Sequence, residues 1–497
     1  MSWWGQMGSF KAWLRAVLPL LVTVLAGLPA TAAPPLNALP ERQLTLNEAI
    51  LLAVQNNRDL ATGRLDRLAQ KLSLQDSEDE FRLTPGIDFS AEHDSTTTAL
   101  GRESVSVLGV SPKVTLRIPT GGTLSLSANN RVTDRDEASQ FITLEFAQPL
   151  LKGGGTAVGS ADLVTARRME QIGFLSFKSA IIEIVTQTIY AYRNLIRSMR
   201  AVEISERSLQ RARDLLAVNR VLIDTGRMAE HEIIQSEANI AERELNLIET
   251  RDALNDSRLA LIDILEIDSR TRIRPTETLQ VDAQTHDADM GVALALQNRP
   301  DYLQSQLSKE NAETALLVAD NARWWELNLT SSANFMHSGR SLSEAYSRFD
   351  DDYRVRLSLN IPLGVNADGL RRDQQRAWFS LQQSKLRIAE LYQSIDIEVR
   401  AGVRDVEVQF RHVALARQAR ELAERKLEIE RIKLNSGLST NFRLVEFEDD
   451  LVRSQNAEND AIVAYLNALT VLDRIQGTTL DTWKIGIETT AVGMAGE

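Results

Sequence analysis

Cysteine is absent from the 497 residues of this chain. Its absence excludes disulfides, zinc sites with thiolate ligands, and a lipid anchor on an amino-terminal cysteine. The five histidines are scattered, and His231–Gln235 begins like a zinc-protease helix but lacks the second histidine. Gly153–Gly155 is not followed by the Lys-Ser/Thr pair of a phosphate-binding loop. With no nucleophile–base arrangement either, we expect neither an enzyme nor a bound metal or cofactor.

Clustered positive charge is also lacking. The formal net charge is -12, and the acidic excess is spread along the chain rather than gathered in a tail. Binding to nucleic acid needs clustered Lys and Arg that neutralise phosphates. We therefore expect no nucleic acid among the partners.

Long apolar runs are missing as well. The amino terminus is predicted to be a signal peptide over residues 1–33: Lys11 and Arg15 give a positive n-region before an apolar core, Ala16–Gly27, and Ala30–Ala32 fits a small-x-small cleavage site. The core is too short for a membrane-spanning helix, which needs about 20 residues. No later segment has 18 consecutive apolar residues. If the mature chain crosses a membrane, it must do so with β-strands closed into a barrel.

The chain contains an internal duplication. Ala53–Leu60 resembles Ala295–Tyr302, and Leu222–Gly226 resembles Lys433–Gly437. Both halves run helix, strand, strand, very long helix, glycine turn, helix. We predict a first repeat at 34–268 (strands about 87–146, helical hairpin about 160–268), a linker at 269–290, a second repeat at 291–477 (strands about 327–361, hairpin about 370–476) and a loosely attached C-terminal tail at 478–497.

Two long segments contain a single glycine each and no proline, and all 52 positions between Gly173 and Gly226 lack both. Ser160–Thr225 and Leu370–Ser436 therefore predict helices, the second interrupted only by Gly402, and the first would be ~100 Å long. Helices of this length are typical of coiled coils. Apolar residues at intervals of three and four predict narrow seams. They are Ile181, Val185, Ile189, Tyr192, Ile196, Met199 and Val202; Ile234, Ala238, Ala241, Leu245 and Ile248; and Ala461, Tyr465, Ala468, Leu472 and Ile475.

Four alternating segments lie between the helices and predict strands. They are Ile87–His93, Phe141–Phe146, Leu327–Phe335 and Tyr353–Ile361. A lipid-facing band opposite a wet lumen requires this alternation, although an ordinary half-buried sheet has the same period. Four strands cannot enclose an aqueous pore, since even eight leave room only for side chains. If the strands surround a pore, several chains must contribute.

Two further stretches lie between these strands. Within 94–140, Lys113–Ile118 and Thr123–Asn129 also alternate, and they form either an extra hairpin at the outer surface or a barrel strand in place of Ile87–His93. Asp350–Asp352 is expected to be a loop at the cell surface.

The whole pattern resembles the TolC-like outer-membrane efflux protein family. The segments that carry the resemblance are Leu44–Ala49, Ala53–Asp59, Gln148–Gly153, Asn360–Gly364 and the hairpin glycines Gly226 and Gly437. The resemblance implies a mainly α fold with a transmembrane β-barrel, in which a homotrimer shares a 12-stranded barrel continued by an α-helical coiled-coil tunnel. It also implies a cell outer-membrane location with a periplasmic helical extension, and a periplasmic adaptor and an inner-membrane transporter as partners.

The resemblance also implies site residues. Members of the family close the periplasmic tip with acidic residues six and nine positions after the turn glycines, which correspond here to Glu232, Gln235, Arg443 and Glu446. Arg443 departs from that pattern, and with Glu446 it suggests an ion-paired tip. The strand-to-helix junctions are expected at Pro149, Gly153, Pro362 and Gly364.

The expected function is that of a passive, gated conduit from periplasm to exterior, in a tripartite efflux or type I secretion system. Two alternatives are a periplasmic adaptor, which usually carries a single helical hairpin, and a structural coiled-coil envelope protein. The sequence does not distinguish drugs, metals or proteins as the cargo.

Overall fold

The structure is a computed structural model that describes residues 42–98, 101–133, 138–339 and 350–486. The predicted signal peptide, 1–33, lies outside the described residues. The first half contains β1 (Arg42–Leu44), α1 (Leu46–Asn56), α2 (Arg58–Asp79), β2 (Thr84–Thr98), β3 (Gly101–Arg117), β4 (Thr123–Thr133), β5 (Ala138–Pro149), α3 (Thr156–Gly159), α4 (Ala161–Asp224) and α5 (Glu232–Leu265). The second half contains β6 (Ile273–Pro275), α6 (Ala288–Asn298), α7 (Pro300–Ala322), β7 (Glu326–Gly339), β8 (Asp350–Asn360), α8 (Val365–Asn435), α9 (Asn441–Gln476) and α10 (Thr479–Thr482).

Two long antiparallel helical hairpins dominate the molecule. Helix α4 has 64 residues and reverses into α5, and α8 has 71 residues and reverses into α9. The predicted long helices and both reversals are confirmed. Part of α4 is apolar enough over 18 residues to cross a membrane, but half of that window is buried within the chain. We interpret it as a core helix, because Ile181 to Ile196 pack in the largest apolar cluster.

The predicted apolar seams differ in whether they are buried within this chain. On α4, Val185, Ile189 and Tyr192 are fully buried, and on α9, Tyr465 and Leu472 are. The seam predicted on α5 is exposed instead, with Leu245 and Ile248 at 58% and 65%. Helix α5 packs on α4 through a different face, which includes Leu247, Leu261 and Leu265. The seam predicted on α5 is therefore accessible for contact with another chain.

The main sheet has six antiparallel strands in the order β2-β3-β4-β5-β7-β8. All four predicted strands are present, but the prediction of four strands per chain is wrong. Strands β3 and β4 form a hairpin between β2 and β5, inside the same sheet. The hairpin neither replaces β2 nor leaves the sheet, so three chains would hold eighteen strands rather than twelve. Asp350–Asp352 is also not a loop, because these residues begin β8 and pair with β7.

A small parallel pair, β1 with β6, joins the two halves beside the long helices. Strand β6 lies within the predicted 269–290 linker. The buried Tyr192 hydroxyl donates to the carbonyl oxygen of Leu44 at 2.8 Å, which holds β1 against α4. The tail is not loose over 478–486, because Leu480 is buried and Trp483 packs on the main core. The rest of the tail lies outside the described residues.

Tyr192 gives this junction a dependence on alkaline pH. Burial raises the pKa of Tyr192 from 10.0 to about 12. A raised pKa of the folded state gives stability that is complete below pH 10 and is lost as pH rises to about 12. Tyr192→Phe should therefore cost about 1 kcal/mol at neutral pH through the lost hydrogen bond, and its deficit should shrink above pH 10. Thermal unfolding of detergent-solubilised protein across this range checks both statements; a deficit that is constant with pH would contradict them.

Candidate functional site

One face of the sheet is mostly apolar across all six strands. Residues directly opposite each other in antiparallel strands share a face, so the pairing places Phe89, Val110, Leu126, Leu144 and Val355 on one side. Other members of this face are Ile87, Leu108, Val114, Leu116, Leu124, Val132, Ile142, Phe146, Leu327, Leu329, Phe335, Tyr353, Leu357 and Leu359. Phe89 and Val355 are 77% and 74% exposed. An exposed apolar face of this size is typical of contact with lipid or another protein.

The opposite face is mostly polar. It carries Asp88, Ser90, Ser127, Thr143 and Asn334, among others, and Lys113 Nζ lies 3.0 Å from the Asp88 carboxylate. Thr143 Oγ1 donates to Asn334 Oδ1 at 3.0 Å, which links the two halves of the chain. The sheet therefore has the two faces of a wall between a hydrocarbon layer and water.

The first strand-to-helix junction is built from glycines. Pro149 ends β5, and Gly153 has a φ of +81°, which favours glycine. The Gly153 amide donates to Asn321 Oδ1 at 2.6 Å, so α7 fixes the junction. The Gly155 amide donates to the carbonyl oxygen of Thr120 at 3.0 Å. The β3–β4 turn is therefore bonded directly to the junction.

The second junction joins β8 to α8. Pro362 lies in the short connection, and Gly364, with a φ of +61°, stands immediately before the first residue of α8. Trp324 and Trp325 lie just before β7 at the same end of the sheet and are 57% and 53% exposed. Half-exposed tryptophans at the edge of an apolar face are typical of a membrane–water interface.

The far end of the hairpins, which we name the helical tip, comprises the turns at Gly226 and Gly437 with their flanking helix ends. The two glycines have φ of +67° and +74°. The amides of Arg227 and Leu438 each donate to the carbonyl oxygen five residues earlier, at 2.8 Å. The two turns thus end their helices in the same way, through a left-handed glycine.

The four predicted tip residues lie in the first two turns of α5 and α9. Glu232 is half-buried beside His231, whereas Gln235, Arg443 and Glu446 are exposed to solvent in the single chain. Among the ion pairs of the described residues, none joins Arg443 to Glu446. The backbone amide of Arg443 donates to Thr440 Oγ1, which caps α9. A role for these residues at the tip stays a prediction.

Sequence reasoning missed a buried polar cluster that joins the two hairpins near the tip. Asn219 Nδ2 donates to Ser236 Oγ at 2.8 Å and to Asn441 Oδ1 at 3.1 Å. These residues come from α4, α5 and α9 and are all buried. In sequence they look like ordinary polar residues on long helices, and only their burial marks them.

Charged contacts tie the same helices along their length. Arg211 lies 2.6 Å from Glu448, and Arg243 pairs with Asp449. Farther from the tip, the buried Arg193 donates to the carbonyl oxygen of Leu466 at 2.6 Å and to Thr470 Oγ1 at 2.8 Å. Burial lowers the pKa of Arg193 to about 10.

A second buried group stabilises the turn of the second hairpin. Glu430 accepts a hydrogen bond from Ser439 Oγ at 2.5 Å and one from Lys433 Nζ at 3.3 Å. These contacts, with that from Ser439 the larger, lower the pKa of Glu430. The tip is thus held by polar contacts rather than by apolar packing alone. In the described part of the chain, no group of three or more His, Asp or Glu is placed to hold a metal ion.

No family model matches this sequence, and no curated protein matches it. Solved structures do match. The chain is similar to the CmeC outer membrane channel of Campylobacter jejuni, with a TM-score of 0.66, 14% identity, and coverage of 87% of this chain and 86% of CmeC. It is similar to the outer membrane protein VceC of Vibrio cholerae, with a TM-score of 0.66, 16% identity, and coverage of 87% and 96%.

The open state of the MtrE outer membrane channel of Neisseria gonorrhoeae is similar too, with a TM-score of 0.66, 13% identity, and coverage of 88% of this chain and 89% of MtrE. Each likeness covers most of both chains. This chain has the fold of the TolC-like outer-membrane channels.

Proposed function

We propose that this chain is the outer-membrane channel subunit of an export system, a passive conduit that carries solutes from the periplasm to the exterior. The observation that carries the proposal is the sheet, with one apolar and one polar face, attached to helices of 64 and 71 residues. A membrane wall needs the first feature, and a tunnel across the periplasm needs the second. No catalytic step is involved, and residues 1–33 would be removed on export.

The assembly that suits this chain is a homotrimer in outer-membrane lipid, because within the described residues the sheet is open and β2 and β8 each have one unpaired edge that a neighbouring copy can fill. The expected partners at the helical tip are a periplasmic adaptor and, through it, an inner-membrane transporter that supplies the energy. Large apolar side chains are exposed at the tip, with Ile234, Leu438 and Phe442 at 71%, 77% and 64%. Exposed apolar groups of this kind support docking of another protein there.

Single-channel recording of the detergent-purified protein in a planar bilayer tests the proposal, together with its mass in detergent. We expect discrete conductance steps from a trimer. A monomer that stays soluble without detergent and never conducts would instead favour a periplasmic adaptor with an ordinary soluble sheet.

The tip residues can be tested in the same assembly. Combined Glu232→Ala and Glu446→Ala substitutions should raise both the leakage of bulky antibiotics and the single-channel conductance several-fold, if these carboxylates help to close the tip. Glu242→Ala, which removes an exposed carboxylate farther along α5, is the control and should leave both unchanged. Permeability equal to that of the wild type in the double variant would exclude Glu232 and Glu446 from the closure.

A further inference from the structure

We infer that the β3–β4 hairpin is part of the barrel wall, so that three copies of this chain close an eighteen-stranded barrel. Such a barrel is about half as wide again as a twelve-stranded one, because diameter grows roughly linearly with strand number. The inference rests on the proposed channel function and specifies how wide the pore is within the barrel. The outer pore would then admit bulky solutes, of the size that passes large general porins, and would not be the narrowest point of the conduit.

The first support is the pairing of the hairpin. Strand β3 pairs with β2 from Thr84↔Thr115 to Thr98↔Gly101, along the whole of β2. Strand β4 pairs with β5 from Thr123↔Ala147 to Val132↔Ala138. Strands β2 and β5 share no pairing in the described sheet. Removing the hairpin from the wall would therefore break the backbone hydrogen bonds of both the β2–β3 and the β4–β5 pairing.

The second support is the side-chain pattern of the hairpin. Leu108, Val110 and Val114 of β3, with Leu124 and Leu126 of β4, continue the apolar face of the other four strands. Their neighbours in sequence, such as Lys113 and Ser127, lie on the polar face. A hairpin that stood in water above the membrane would have no use for an apolar face aligned with that of β5 and β7. The hairpin has the two faces of a membrane wall.

The third support is the position of the inner turn. The β3–β4 turn lies against the strand-to-helix junction, where Gly159 packs on the backbone of Pro119 and Gly121. Thr120 Oγ1 donates to Gln148 Oε1 at 2.8 Å, at the end of β5. Arg117, at the end of β3, pairs with Glu80, just after α2. The hairpin therefore runs down to the same level as the other strands and spans the wall.

The fourth support is how copies would join. Within the described residues, β2 and β8 each have one unpaired edge. Strand β2 leads away from the helices and β8 leads back to them, so β8 of one copy meets β2 of the next antiparallel. An even number of strands per chain lets the ring close with every neighbour antiparallel, as barrels require. The occupant of each edge is a second copy of this chain.

The helices set the size of the ring. Four helices per chain meet the sheet: α2 before β2, α4 after β5, α7 before β7 and α8 after β8. Twelve helices in a trimer, spaced about 9–10 Å apart, need a circumference of about 110–120 Å. Eighteen strands spaced ~4.8 Å apart and tilted ~40° give ~113 Å, whereas twelve give only ~75 Å. The circumference of eighteen strands is thus close to that of the ring of helices.

Disulfide mapping tests the wall directly, and the natural absence of cysteine leaves no background. Ser90→Cys on the polar face of β2 is combined in turn with cysteine at Arg354, Arg356 and Ser358 of β8. A second set combines Ser90→Cys with Ser139→Cys or Thr143→Cys of β5. Ser127→Cys with Thr143→Cys, an opposed pair of β4 and β5, is the positive control.

We expect β2–β8 disulfides between copies, seen as covalent dimers and trimers in the oxidised sample, with loss of most of the monomer. We expect no β2–β5 disulfide, since two strands between them hold the Cα atoms about 14 Å apart, beyond the ~7 Å limit for a disulfide. A β2–β5 disulfide would overturn the inference and leave the channel standing, with a twelve-stranded wall. Intermolecular disulfides between β4 and β8, tested with Ser127→Cys, would overturn it in the same way. A monomer that does not enter membranes would overturn the proposed channel itself.

Discussion

Gly159→Ala is expected to remove most of the folded, membrane-inserted protein. A Cβ atom at this position would lie well under 3.0 Å from the backbone nitrogen of Gly121 and the backbone oxygen of Pro119. Both are backbone atoms of a tight turn and cannot move aside as the end of a side chain would. Overpacking of this kind costs about 3 kcal/mol or more when the neighbours cannot adjust. Heat-modifiable migration and the yield of trimer from outer membranes measure the effect.

The control is Gly369→Ala, near the start of α8. Its Cβ would meet open space, with only the Arg372 guanidinium 4.0 Å away. Alanine in place of a helical glycine should be neutral or stabilise the fold by ~0.5–1 kcal/mol. If Gly159→Ala behaved like Gly369→Ala, the β3–β4 turn would not pack against the strand-to-helix junction. The position of this turn would then no longer support an eighteen-stranded barrel.

The long helices and the strands could be predicted from the sequence because their signals are local. The missing glycine and proline between Gly173 and Gly226 predicted α4 almost to its ends. The hairpin β3–β4 was harder to place, because Gly109 and Pro112 lie inside β3 and both residues are unusual within strands. The β3–β4 pairing is interrupted at 111–112, where proline has no amide to donate. The sheet tolerates this proline. The alternation of apolar and polar residues in the sequence alone does not show how many strands the sheet has.

The polar contacts between the two hairpins could not be predicted, because each depends on a partner far away in sequence. Asn219 and Asn441 meet across 222 positions, and Arg193 meets Thr470 across 277. The four tip residues came from the resemblance and not from contacts within the chain, and three of them face solvent here. If the copies meet at the tip as proposed, such residues would face a shared axis and would have no partner within one copy.

The exposed seam on α5 is suited to contact with another copy of the chain. Ile248→Glu should abolish the trimer while leaving the fold of the single chain intact. Ile248 is 65% exposed within its own chain, so a carboxylate there has little effect on the folding of α5. The seam's interval of three and four residues is that of a helix–helix contact, and an unpaired charge buried in such a contact costs several kcal/mol.

The assay for this variant is its mass in detergent, with far-ultraviolet circular dichroism to follow helix content. We expect a monomer with the helix content of the wild type and no conductance steps. Glu249→Lys, on the adjacent polar flank of α5, changes the charge by two units and should keep the trimer, because it lies off the seam. A trimeric Ile248→Glu protein would mean that the α5 seam faces the water of the tunnel or the periplasm, so that the copies must be held together by other helices and by the β2–β8 edges.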